Sequence, residues 1–370
     1  FCCGAAVAFK LCQALTNDDA DLDLVALATV ADVVPLRREN RLLVSRGLAR
    51  IATRAHPGIE ALVRCAKLNP REIRAEHIAF QLAPRLNASG RLGDGSHALS
   101  LLLSDSHGEA DGLAMELDRL NKRRREVEDI INREAIEQIE QDGADQRRVI
   151  ILASRGWHPG VIGIVASRLM GTYGRPVMLI AIDENGIGRA SGRSTPDLHL
   201  ADALAACTQL LVKHGGHRLA AGMTIQEENI SAVIDRMEAF AAENMPAEPT
   251  PTSLSLDAIV ALSEIDEKLI QTIDRLEPFG AENPPPVFGA FGVQIPRDQA
   301  RALNGGHLRC TVRHGERAFP AIGFSLADAW PPSDMPERMD VAFRPRFNTW
   351  RGETTIQLQL VDLRPSAPPK

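Results

Sequence analysis

No C-x-x-C pair occurs among the six cysteines, and none stands at metal-ligand spacing from a histidine. Neither a zinc site nor a disulfide framework is expected, and a reducing cytoplasm is the compartment that fits. No apolar run reaches the length of about 18 residues needed by a membrane-spanning helix. The start also lacks the basic, apolar and small-residue order of a secretory signal, so no membrane partner is expected. Positive charge is not in excess either: the formal net charge of -6 excludes a uniformly basic nucleic-acid binder. The sign is uneven, however. Residues 284 to 370 carry 11 Lys/Arg against 8 Asp/Glu, which leaves 31 against 40 upstream. A mildly basic region thus follows an acidic body. The chain begins with Phe1, already inside an apolar helical pattern, and is expected to be the downstream part of a longer protein.

What is present is enough for two or three domains: 370 residues with 44% hydrophobic content. The most informative stretch is residues 188 to 224, GRASGRSTPDLHLADALAACTQLLVKHGGHRLAAGMT. It reads as a Ser-Gly-Arg-Ser turn opening a helix, followed by a His-Gly-Gly-His turn. Small residues let backbone amides approach an anion, and Ser191, Arg193, Ser194 and His217 supply donors beside them. This is a recipe for a phosphate cradle at a helix N-terminus, with Arg193 offering a planar fork to paired phosphate oxygens. Gly and Ser clusters also form ordinary turns.

Upstream, residues 4 to 15 have helical apolar spacing. Residues 23 to 31 (DLVALATVA) form a nearly continuous apolar run that reads as a buried strand ending on Asp32. A carboxylate at a strand mouth can hold a metal or act as a base, although Asp also serves as a cap or turn former. Residues 40 to 54 read as an amphipathic helix. Residues 77 to 86 lead into a polar turn over residues 85 to 91, where Arg85, Asn87 and Arg91 could aim donors at a phosphate or simply face water. Residues 98 to 103 and 108 to 139 are helical, and the run Lys122-Arg123-Arg124-Arg125 reads as a solvated helix face. Strands are expected over 148 to 153, 176 to 182 and 186 to 190, with a helix over 160 to 171, which makes a second α/β unit.

Two Pro-rich connectors, 244 to 252 and 278 to 286, flank a short helix over 265 to 276. Five strand-like segments follow, at 287 to 295, 307 to 314, 317 to 324, 340 to 347 and 354 to 363. Five short strands with Gly- and Pro-rich turns suggest an oligonucleotide-binding barrel. Arg309, Arg313, Arg344, Arg346 and Arg351 lie on or beside them, interleaved with Phe343, Phe347 and Trp350. Arginines hold phosphates and rings stack bases, though phenylalanines at strand spacing are mostly core.

Taken in order, LVALATVADVVPL, FQLAPRLNASGRL, ASGRSTPDLHLADAL and KHGGHRLAAGM, followed by the five-stranded basic region, resemble the RecJ family of single-strand-specific exonucleases in the DHH phosphoesterase superfamily. The resemblance covers essentially the whole chain. It implies an α/β protein with a partial DHH domain over 1–107, a long connecting helix over 108–142 and a DHH-associated α/β domain over 143–245. A linker with a short helix over 246–283 and a C-terminal β-barrel of oligonucleotide-binding fold over 284–370 complete it. It also implies 5′→3′ hydrolysis of single-stranded DNA with Mn²⁺ or Mg²⁺ in DNA repair and recombination, with a single-strand-binding protein and a helicase as further partners. By the same resemblance, Asp32 matches a metal-binding aspartate. Arg85, Asn87 and Arg91 match the motif lining the substrate path, and Ser191, Arg193 and His217 match positions that hold DNA phosphates. The chain has no counterpart of the family's Asp-x-Asp and Asp-His-His motifs, because FCCGAAVAFKL resembles the segment just after Asp-His-His. The 370 residues alone are therefore expected to be inactive. Two other readings stay open: a small-oligonucleotide DHH phosphodiesterase, which would lack the barrel, and a non-catalytic DNA-binding scaffold, which would keep the fold without the ligands.

Overall fold

The computed structural model describes residues 2–246, 253–350 and 352–366. By internal contacts the chain divides into two units. One comprises Phe1–Arg50, Arg74–Glu76 and Ser253–Lys370, the other Ile51–Ile73 and His77–Thr252.

The first unit opens with helices α1 (Gly4–Thr16) and α2 (Leu22–Ala31), and α3 (Arg38–Arg54) starts within it. The apolar run before Asp32 is therefore a helix, not the expected strand. The reason is that LDLVALATVA is apolar all round and alanine-rich: such a segment has no face for periodicity to reveal, and ten residues suit a buried helix better than a strand. Leu22, Asp23, Val25, Ala26, Leu27 and Thr29 are all buried. The loop after α2 docks on the C-terminal part of the same unit, where the Leu36 amide donates to the Ala281 carbonyl at 2.7 Å and Arg41 donates to the Leu276 carbonyl at 2.8 Å.

The rest of this unit is a barrel. Helix α12 (Glu267–Asp274) follows the two-residue strand β6 (Ala258–Ile259). Then come β7 (Phe288–Gln294), β8 (Arg301–Leu303), β9 (His307–His314), β10 (Arg317–Gly323), β11 (Arg338–Trp350) and β12 (Glu353–Pro365). The five expected strands are all present. The sheet order is β6-β7-β11-β12-β10-β9-β8, and a further pairing of Gln294 with Arg313 joins β7 to β9. That pairing closes a ring of β7, β11, β12, β10 and β9, in which β10 and β12 run parallel and the other neighbours antiparallel. This is the Greek-key ring of an oligonucleotide-binding fold. Inward residues such as Leu308, Cys310, Val312, Phe343, Leu358 and Leu360 fill it. Leu262, Ile265 and Ile273 belong to the same core. Part of the stretch expected to be a linker is thus built into the barrel body.

The second unit contains α4 (Pro57–Cys65), the end of the short α5 (Ala75–His77), α6 (Ala83–Leu92), α7 (Ser96–Leu103) and the 36-residue α8 (His107–Asp142). Residues Ile78–Leu82 form a π-helical turn that runs into α6. At 1.5 Å per residue α8 is about 54 Å long. The Ser106 side chain caps its start by accepting from the Glu109 amide, and Gly143 ends it in the left-handed region, φ 61°.

A five-stranded sheet follows, made of β1 (Ile150–Ser154), β2 (Val177–Ile182), β3 (Ile187–Arg193), β4 (Leu211–Gly216) and β5 (Ala220–Gln226), in the order β1-β2-β3-β5-β4. Helix α9 (Ile162–Tyr173) makes the crossover between the parallel β1 and β2 and, with α8, covers one face. Helices α10 (Leu200–Ala205) and α11 (Ile230–Asn244) cover the other. Strand β2 shows why the sequence is so apolar there: Val177, Leu179 and Ala181 pack toward α8 and α9, while Met178, Ile180 and Ile182 pack toward α10 and α11.

Candidate nucleic-acid interface

Strand β3 is the backbone of the candidate site, and this corrects the expectation of a turn at Ser-Gly-Arg. Gly188 and Gly192 face the α10–α11 core, where a Cβ on Gly192 would stand 2.8 Å from both Leu200 and Met178. Alternation then places Ile187, Arg189, Ser191 and Arg193 on the opposite face, toward α9. The glycines permit close packing inside a strand and do not bend it. The cradle is accordingly not at the start of α10, which is only six residues long. Ser191 and Arg193 lie instead against the first turn of α9: a Cβ on Gly163 would sit 2.7 Å from Ser191 Oγ and 3.3 Å from Arg193 Nη2. Arg193 Nη1 donates to the Gly192 carbonyl at 2.8 Å and to Ser191 Oγ at 3.3 Å.

Arg91 reaches the same helix start from α6. Its Nη1 donates to the Gly160 carbonyl at 3.2 Å, and a Cβ on Gly160 would collide with the Arg91 carbonyl oxygen at 2.1 Å. The absence of side chains at 160 and 163 is thus what lets α6 and β3 converge on the N-terminal turn of α9. Desolvation, then the like charges of Arg124 and Arg193, pulls the Arg91 guanidinium below its ordinary value. Desolvation does the same to Arg193. Two partly desolvated guanidiniums that repel each other, beside the positive end of a helix, form a locus that an anion would stabilise.

The remaining expected residues separate clearly. Asn87 is exposed on α6, and its side chain has no hydrogen-bond partner among the described residues. His217 is exposed in the β4–β5 turn, and its amide donates to the Ala220 carbonyl at 2.8 Å. Because Arg193 pairs with Ala220, the turn stands at the same end of the sheet as Arg193. Ser194 is corrected: it is 4% exposed, and its hydroxyl donates to the Leu198 carbonyl at 2.8 Å, so it closes the loop after β3. Arg85 is corrected as well. Its segment is helical, and its Nε and Nη2 each lie 2.9 Å from Asp118 Oδ1 while Nη1 donates to the Gln81 carbonyl at 2.6 Å. Arg85 therefore fastens α6 to α8 and is not a free phosphate donor. Within the basic run of α8, Lys122 pairs with Asp118, Arg123 with Glu126, and the largely buried Arg124 with Glu128. Only Arg124 departs from the solvated face expected there.

Asp32 belongs to the other unit. It is exposed at the C-terminal end of α2, and the β-branched Val33 next to it is held at φ 55°, a conformation such residues rarely adopt. Asp32 alone does not fit a metal centre. Asp23 is fully buried beside Arg50, and no three His, Cys, Asp or Glu among the described residues are grouped to hold an ion. On the barrel, Arg309 and Arg313 point outward from β9, and Arg301 pairs directly opposite Arg309. Arg344 and Arg346 are half-buried, Phe343 is core, and Phe347 is partly buried. Arg351 and the Trp350 side chain lie outside the described residues. The exposed rings are others: Phe291, with Arg364 5.7 Å over it, and Phe324, edge-on to His307. Phe80, 75% exposed on the π-helical turn before α6, is a further ring that sequence reasoning misses. An aromatic amid AFQLAP carries no sequence signal that it faces out.

The family model described as the DHHA1 domain matches residues 146–243, and the RecJ OB domain model matches residues 256–362. The chain is 34% identical over 362 residues to the single-stranded-DNA-specific exonuclease RecJ of Bacillus subtilis (strain 168), covering 97% of this chain and 46% of that protein. Over nearly its whole length the chain is similar to RecJ exonucleases. Among solved structures, RecJ from Thermus thermophilus in complex with Mg²⁺ superposes with a TM-score of 0.82 at 33% identity, over 99% of this chain and 56% of that one. The Mn²⁺ complex from the same organism gives 0.82 at 34% identity, over 99% and 53%. The chain thus spans about half the length of the RecJ proteins it matches. No helix among the described residues is long and apolar enough to cross a membrane.

Proposed function

We propose that this chain serves 5′→3′ exonucleolytic hydrolysis of single-stranded DNA in repair and recombination, in the cytoplasm. In this reading the second unit holds the strand by its phosphates. The observation that carries it is the convergence of Arg91 and Arg193, with Ser191, on the side-chain-free first turn of α9. An assembly of like charges costs folding free energy, and a strand phosphate seated there would offset it. Asn87 and His217 supply further donors, and the outward arginines of the barrel supply sequence-independent affinity. The RecJ structures named above are complexes with Mg²⁺ or Mn²⁺. Such an ion would supply an activated water and neutralise charge on the reacting oxygens, and Asp32 would be only one of the several ligands it needs. A single-strand-binding protein and a helicase are the proposed partners.

The test is binding to the 370-residue chain. 5′-Phosphorylated single strands should bind more tightly than 5′-hydroxyl strands and than duplex. Arg193→Ala should weaken the former by roughly ten- to over a hundredfold, the range that follows from about 1.5 to 3 kcal/mol for a charged hydrogen bond. Arg193→Lys should restore only part, because an ammonium lacks the planar fork. Equal affinity for all three ligands, or full affinity in Arg193→Ala, would remove the phosphate-holding role.

A further inference from the structure

Beyond the cradle, the same face of β3 carries one more cation. Arg189 is four residues before Arg193, about 13 Å along the strand, with Ser191 midway. It is exposed, and its side chain makes no hydrogen bond or ion pair with any described residue, although its backbone pairs within the sheet. Its surroundings are not flat surface. Arg189 lines a cleft of about 530 Å³ together with Arg155, Trp157, Pro159, Asp183 and Ile187.

That cleft adjoins the cradle by construction. Pro159 precedes Gly160, which receives Arg91, and the chain continues directly into Gly163 beneath Ser191 and Arg193. The cleft is also anchored. Arg155 is ion-paired with Glu227 and reaches the Asp183 carbonyl at 3.5 Å. Trp157 is 4% exposed, and its indole N–H donates to Glu134 at 2.9 Å. The cleft thus opens at the carboxyl ends of β1 and β2, the edge of an α/β sheet where ligands bind. The lining carries two arginines and two acidic residues, Asp183 and Glu184. Asp183 accepts from the Asn185 and Ile187 amides and Arg155 is paired with Glu227, while the Arg189 guanidinium has no partner among the described residues. A free guanidinium in an anchored cleft, on the strand face that already presents Ser191 and Arg193, is placed to receive a second phosphate.

We propose that Arg189 and its cleft form a second phosphate subsite, which takes a phosphate group of the bound strand other than the one seated between Ser191 and Arg193. The proposal rests on the phosphate-holding reading of the cradle. The second phosphate has two possible sources, a further link of the strand or a 5′-terminal di- or triphosphate, and both present the same oxygens to the guanidinium.

Isothermal titration of the 370-residue chain at low salt with thymidine 5′-monophosphate, a 5′-phosphorylated thymidine trinucleotide and thymidine triphosphate separates these possibilities. Arg189→Ala should leave the monophosphate unchanged and weaken the trinucleotide, the triphosphate or both by about five- to tenfold, as expected for one charged contact in an open groove. It should also lower the salt slope of the affected ligand by about one. Arg189→Lys should recover most of the salt slope but only part of the affinity. Which ligand responds identifies the source. Loss of monophosphate binding to the same extent, or no change with any ligand, overturns the subsite. If Arg193→Ala changes nothing either, the cradle reading itself has failed; if Arg193→Ala weakens all three ligands while Arg189→Ala weakens none, the subsite alone has failed. Thermal unfolding of both variants should match the parent, since neither side chain fills the core.

Discussion

If the proposed cradle holds phosphate, Gly163 is the residue at which folding and binding make opposite demands. Glycine within a helix costs about 0.5 to 1 kcal/mol relative to alanine, so a Gly163→Ala chain would be expected to melt higher. A Cβ there would meet Ser191 Oγ at 2.7 Å and Arg193 Nη2 at 3.3 Å. Both are side-chain atoms that can move aside, so the fold tolerates the methyl while the cradle loses its shape. Gly163→Ala should therefore keep or raise the melting temperature and still weaken binding of 5′-phosphorylated strands about tenfold. A parallel loss of both would mean that glycine is there for packing. At this scale the sequence was partly legible. The donor types Ser191, Arg193 and His217 could be named from composition around glycines. Ser194 could not be separated from them, because a buried hydroxyl bonded to Leu198 and an exposed one share the same letter. Nothing in the string pointed to Gly160 and Gly163 either, whose role appears only once α6 and β3 meet them.

Among the elements, α6 shows how the helix that carries Arg91 is held. Asp118 on α8 binds both Arg85 and Lys122. Burial alone would push its carboxyl up, but the Lys122 hydrogen bond, with the charges of Arg85 and Lys122 and the Arg85 hydrogen bond, holds it below the ordinary carboxylate range. A carboxyl whose folded value is depressed contributes stability that is fully present above its unfolded value of about 3.9 and is lost as pH falls through the folded value. The α6–α8 joint should therefore be insensitive to pH between about 5 and 8 and should weaken below about 4. Arg85→Ala should cost about 1 to 3 kcal/mol at pH 7, because it leaves Asp118 partly buried with one fewer partner. At pH 3 the cost should shrink. Urea unfolding at the two pH values measures this, and an equal loss at both would show that Arg85 acts through its aliphatic stem instead. The sequence read this segment as a loop because Asn87, Ser89 and Gly90 are weak helix formers, whereas Ala83, Ala88 and Ser89 buried against neighbouring helices decide the outcome. The barrel strands were legible for the opposite reason. Apolar and polar residues alternate on β9 as Leu308, Arg309, Cys310, Thr311 and Val312, a period that only a half-buried strand explains. Strands β6 and β8, of two and three residues, are too short to carry a period.

For the molecule as a whole, phosphate holding and hydrolysis make separate demands on the chain. Holding a strand needs cations and amides, and the proposed cradle would draw them from the second unit alone. Hydrolysis by a metal-activated water needs several carboxylate or histidine ligands around one point. Asp32 is one carboxylate at the end of α2, and no group of three such residues is assembled among those described. The 370-residue chain should therefore bind single strands, with affinity falling as salt rises, while releasing no mononucleotide in Mn²⁺ or Mg²⁺. Asp32→Ala should leave that binding unchanged, because the side chain is exposed and bears the wrong sign to hold a phosphate directly. The measurement is incubation with 5′-labelled single strands and each metal, alongside a binding titration of the parent and Asp32→Ala chains. Metal-dependent release that disappears in Asp32→Ala would place a complete hydrolytic centre within these residues and overturn this division of labour. Loss of binding in Asp32→Ala, with hydrolysis absent from both chains, would instead make this aspartate part of the strand path.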